Sequence, residues 1–75
     1  MTFDILQDYE AAFGAPPDDE MLKVFSGAAN AGMSERMILV AIYHIQGDFE
    51  RGRVEGRPGK AVAEYLRHLY RKGLR

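Results

Sequence analysis

The chain holds few residues whose chemistry could be catalytic, and spacing decides most of the cases. His44 and His68 are the two imidazoles, and they stand 24 positions apart. No H-x-x-x-H or E-x-x-H spacing gives either one a second metal ligand on its own helix face. His44 lies in a hydrophobic stretch and reads as a hydrogen-bonded or partly buried side chain rather than a ligand. His68 lies among Arg67, Arg71 and Lys72 and reads as part of a solvated basic face. There is no cysteine, which removes disulfides, thiolate zinc sites and cysteine nucleophiles. Ser26 and Ser34 have no neighbouring histidine to activate them. Gly59-Lys60 could close a G-x-x-x-x-G-K-[ST] phosphate loop, but Val54 stands at the first glycine and Ala61 at the metal-binding hydroxyl. The acids Asp18-Asp19-Glu20 are explained by helix initiation, where the helix dipole is positive. The expectation is a chain with no catalytic residue, no cofactor and no metal, and therefore not an enzyme.

What remains is a basic surface. Arg51, Arg53, Arg57 and Lys60 fall in or beside a glycine-rich stretch, and Arg67, Arg71, Lys72 and Arg75 follow near the C-terminus. Seven of the ten bases are arginine, whose planar fork suits bidentate phosphate contacts. Tyr65 or Tyr70 could stack on a base. The alternative for the same residues is a solvated face with helix-end charge complementation, and tyrosines at helical spacing that belong to the core.

These residues must be positioned by a small domain. The chain has 75 residues, 47% of them hydrophobic and 28% charged, a globular balance. At this size folding hides only about 60% of the surface of the unfolded chain, so one modest core is the limit. The longest apolar run, Met37–Tyr43, is far short of the roughly 20 residues that span a bilayer. Met1-Thr2-Phe3-Asp4 has neither a basic segment nor a small-residue cleavage site, which predicts no secretion signal, no membrane association and a cytoplasmic protein. The net charge of -1 conceals a polarity: residues 1–37 sum to -5 and residues 38–75 to +4. Either the basic half meets nucleic acid or an acidic partner, or the halves neutralise each other in the fold.

Punctuation and periodicity predict an all-α bundle of four helices at about 3–13, 18–31, 34–50 and 60–72, forming one domain over 1–75. Thr2 or Asp4 can cap the first helix, with Phe3, Leu6, Tyr9 and Phe13 on its apolar face and Gly14 as its stop. Asp18 caps the second, with Met21, Leu22, Phe25, Ala28 and Ala29 facing inward. Its small residues Gly27, Ala28 and Ala29 would permit close approach by a neighbouring helix. Ser34 caps the third, which is apolar nearly all round and so central. Ile38, Ile42, Ile45 and Phe49 share one face of it, and Leu39 and Tyr43 would lie on its exposed face. Residues 51–59 hold three glycines and a proline and read as a loop. Val62, Leu66, Leu69 and Tyr70 form the core side of the last helix, with Tyr65 beside them.

The order of these signals resembles a known family. Tyr9-Glu10-Ala11-Ala12-Phe13-Gly14, then Pro16-Pro17, then Asp19-Glu20 resembles the opening of the DnaD-like C-terminal domain. Gly32-Met33-Ser34-Glu35 followed by Ile38 and Ala41-Ile42 is similar to its next segment, and Tyr65-Leu66-Arg67-His68-Leu69 to its Tyr-x-x-x-Ile motif. The tryptophan that commonly follows that motif is Gly73 here, and the 51–59 connection is longer than the usual one. The resemblance implies a small helical module of bacterial or phage replication that binds DNA, single-stranded DNA especially, and contacts other replication proteins. It gives Tyr65 and Leu69 a part in DNA binding.

The expected function is therefore a non-enzymatic DNA-binding accessory module, holding DNA through Arg51, Arg53, Arg57, Lys60, Tyr65, Arg67, Leu69, Arg71 and Lys72. The alternative is a protein–protein adaptor or inhibitor of phage or mobile-element type, using its acidic first half or self-associating as a homodimer.

Overall fold

The structure, a computed structural model, describes residues 5–75. Among these residues are four α-helices and no strand: α1 (Ile5–Phe13), α2 (Asp19–Asn30), α3 (Glu35–Glu50) and α4 (Pro58–Arg71). The expected caps Thr2 and Asp4, and Phe3, lie outside the described residues.

Two helix starts follow directly from side-chain chemistry. The Asp18 carboxylate accepts the Met21 N–H at 2.9 Å, and the Ser34 hydroxyl accepts the Met37 N–H at 3.2 Å. Each bond satisfies an N–H that has no partner within its helix, a contribution of about 1 kcal/mol. At the other end of α2, Gly32 takes φ of +94°, a conformation that glycine adopts without penalty. The Gly32 and Met33 N–H groups then return to the Ala29 and Ala28 carbonyls, both at 3.0 Å. Met33 is carried into the core by this turn, the apolar contact that accompanies such caps.

Helix α3 is the axis of the domain. Ile38, Ala41 and Ile42 are fully buried, and α3 packs chiefly on α1 and α4, while α2 closes the remaining side against α3 and α4. Tyr9, Met21, Phe25, Met33, Val62, Leu66 and Leu69 complete the core around it. Tyr9 and Phe13 together tie α1 to α2 and α3. The Tyr9 ring lies 4.8 Å from Phe13 and 5.8 Å, edge-on, from Phe25, and Phe13 in turn meets Phe49 at 6.3 Å.

Several expectations need correction. Tyr43 is exposed as expected, at 48%, but Leu39 is buried and its place on the outer side of α3 is taken by Val40, 42% exposed. One residue is a turn of roughly 100°, enough to carry Leu39 to the core edge and Val40 out. Leu6, Leu22, Ala29 and Tyr70 are exposed, while Met33 is buried and Val24, partly buried, packs against the core. Helix α4 begins at Pro58, not Lys60, so the loop ends two residues early. Proline suits this first position because its missing N–H would have no partner there. Gly59 belongs to the first turn for a steric reason. A β-carbon there would stand 2.8 Å from Met21 Cγ and Sδ and 3.2 Å from the Tyr9 hydroxyl.

Candidate nucleic-acid interface

The polar residues of α4 divide between two sides of the helix. One side, with α2, walls a groove. At its lower end Arg57, Lys60 and Arg67 line a cavity of about 640 Å³ with Asp18, Glu20 and Glu64. At its upper end Lys23, Arg67 and Arg71 rim a cavity of about 360 Å³ that contains no acidic residue. The floor of the upper cavity is apolar: Val24, Gly27, Ala28, Met33, Ala63 and Leu66. Gly27 and Ala28 were expected to admit a neighbouring helix. In the structure a β-carbon on Gly27 would meet nothing within 4 Å, so the small residues leave space instead.

All five cations of the groove are exposed. Among the described residues none takes part in an ion pair, the one such contact being His44–Asp48 at 3.3 Å. The acidic first half therefore does not neutralise the basic second half through ion pairs among the described residues. Of the acids in the groove, Asp18 is committed to the α2 cap. Lys60 to Arg71 spans about 16 Å along α4 at 1.5 Å per residue. That is about two Debye lengths at physiological salt, so the two ends of the row are screened from each other and only close neighbours, such as Arg67 and Arg71, act on one anion together.

The other side of α4 faces α3. Tyr65 is half-buried, stacked on His44 at 4.2 Å with the rings 8° from parallel, and tilted against His68 at 5.8 Å. One face of the Tyr65 ring is thus already covered. Leu69 is 4% exposed and packs in the core, so it offers no surface to a ligand. Arg51 folds back over α3, its Nη1 2.9 Å from where a β-carbon on Gly47 would stand. Arg51, Arg53 and Lys72 are exposed but line neither cavity of the groove. The structure therefore brings together Arg57, Lys60, Arg67 and Arg71 and separates them from Arg51, Arg53, Tyr65, Leu69 and Lys72.

Two further residues line the groove, Lys23, which the sequence had not suggested, and Tyr70, which it had offered beside Tyr65 as a base platform. Lys23 comes from the acidic half, on α2. Tyr70 is 39% exposed, lines the upper cavity, and carries the Arg75 guanidinium 4.4 Å above its ring. Across the molecule, the Tyr43 hydroxyl donates to Asp8, which with slight burial and the carboxylate charge holds its pKa above the usual 10. Burial, with the nearby Asp18 charge, likewise raises that of Tyr9.

Among the described residues no three His, Asp or Glu side chains converge as metal ligands, and no helix is long and apolar enough to cross a membrane. Comparison with protein-family models, with curated proteins and with solved structures finds no match.

Proposed function

We propose that the protein is a non-enzymatic DNA-binding module that grips a single strand in the α2–α4 groove and works in the cytoplasm. The observation that carries this reading is the set of Lys23, Arg57, Lys60, Arg67 and Arg71, gathered along one groove and making no ion pair among the described residues. In the upper cavity, cations above an apolar floor suit a ligand with a phosphate backbone and exposed bases. A duplex hides its bases in the stack and offers that floor nothing to cover. The motif order shared with DnaD-like domains supports replication as the setting and replication proteins as further partners.

The test is charge reversal on one side only. Glutamate at Arg57, Arg67 and Arg71 should abolish binding of labelled oligo(dT) while circular dichroism stays helical. Glutamate at Arg51 and Arg53, which lie off the groove, should weaken it little. Equal loss from both sets, or no loss from the first, would refute the groove as the interface.

A second reading, an adaptor or self-associating module, rests on Val40 and Tyr43, both exposed on the outer side of α3. A monomer by light scattering at high micromolar concentration would remove its self-associating form.

A further inference from the structure

The upper cavity of the groove calls for something besides phosphate. Its volume of about 360 Å³ lies in the range of small-ligand pockets. Its floor is apolar, and three cations, Lys23, Arg67 and Arg71, stand at its rim without an acid among them. Tyr70 lines it, with Arg75 over the ring as a cation–π partner. A flat apolar group attached to an anion matches this set, because the floor and the tyrosine meet the first and the cations meet the second.

We infer that the upper α2–α4 cavity holds one unstacked nucleobase against Tyr70, with its flanking phosphates on Lys23, Arg67 and Arg71. The inference rests on the single-strand reading above and assigns the stacking role to Tyr70 rather than Tyr65. Tyr65, stacked on His44, lines neither cavity of the groove, whereas Tyr70 lines this one and leaves the ring face opposite Arg75 for a base. Tyr70 lies outside the buried core, so it can be changed without opening the interior. Gly27 offers a second handle. It is helical, its β-carbon would enter open space, and a larger side chain there would fill the cavity without touching a charge.

The experiment compares oligo(dT) with an abasic oligonucleotide of the same length, by fluorescence anisotropy at one salt concentration. The wild-type chain should prefer oligo(dT) by roughly 5- to 150-fold, the contribution of one stacked base. Tyr70→Ala and Gly27→Leu should each bring oligo(dT) affinity down to that of the abasic strand, Tyr70→Phe should keep the preference, and Tyr65→Phe should leave it intact. Circular dichroism of each variant should match the wild type.

Equal wild-type affinity for the two oligonucleotides would overturn the base pocket and leave the DNA reading standing. Failure to bind either would overturn both. Thymidine monophosphate binding as tightly as the strand would overturn the strand as the source of the base.

Discussion

Replacing Arg57 by serine should move two measurable quantities in opposite directions. Arg57 occupies the N-cap of α4 with φ of -82° and ψ of 127°, the extended backbone of a cap, yet its side chain makes no capping bond. Its cation also stands at the positive end of the helix dipole. The chain caps α2 and α3 with an oxygen that accepts the N–H three residues on. Serine at 57 could make the same bond to the Lys60 N–H without moving the backbone. The cap contributes about 1 kcal/mol, and removing the cation from the dipole adds roughly 0.3–1 kcal/mol. For a domain of this size each kcal/mol raises Tm by about 4–8 °C. If Arg57 holds a phosphate, the same change lowers oligo(dT) affinity and reduces the salt slope by about 0.7, one single-strand contact. Calorimetry and anisotropy on one preparation read both effects. A lower Tm would refute the capping argument. A higher Tm with unchanged affinity and slope would remove Arg57 from the interface and leave no reason in the site for a cation at this cap.

Further outcomes follow from the packing. Gly59→Ala should lower Tm, by an overpacking cost of about 1–3 kcal/mol, because its β-carbon would press into Met21; an unchanged Tm would mean that Met21 moves aside freely. Ile42→Ala empties a fully buried site on α3 and should cost about 2–5 kcal/mol in chemical denaturation. A loss under 1 kcal/mol would contradict the central place given to α3. Tyr43 and Tyr9 have raised pKa values when folded, so their contribution is fully present below about pH 10 and is lost as pH rises through the folded pKa. Tyr43→Phe should therefore flatten part of the alkaline fall in Tm, and an identical profile would show that the Asp8 bond does not persist in solution.

Legibility in the sequence tracked how local each cause was. The starts of α2 and α3 and the end of α2 could be read because Asp18, Ser34 and Gly32 act on neighbours within four residues. The start of α4 could not. Pro58-Gly59 looks like loop punctuation, and only contact with Met21 and Tyr9, distant in sequence, explains the glycine. The exposed residues Leu22 and Tyr70 were misplaced for a related reason. Periodicity finds an apolar face but does not centre it when the neighbouring helix leaves a cavity. The cations of α4 were visible as a cluster, but their division between two sides depends on helix rotation. Positions 65 and 70 differ by about 140° around the axis, which puts one tyrosine against His44 and the other on the groove. Lys23 was hidden because it belongs to the acidic half and reaches the site only through the packing of α2 on α4.

The salt dependence of oligo(dT) binding tests the central claim most directly. Five groove cations, Lys23, Arg57, Lys60, Arg67 and Arg71, each meeting a phosphate, predict log K falling with log salt at a slope of about -3.5. Duplex DNA of the same length should bind more weakly at every salt concentration. No binding at about 100 μM protein, or a slope near zero, would contradict the claim that this groove is an interface for single-stranded DNA.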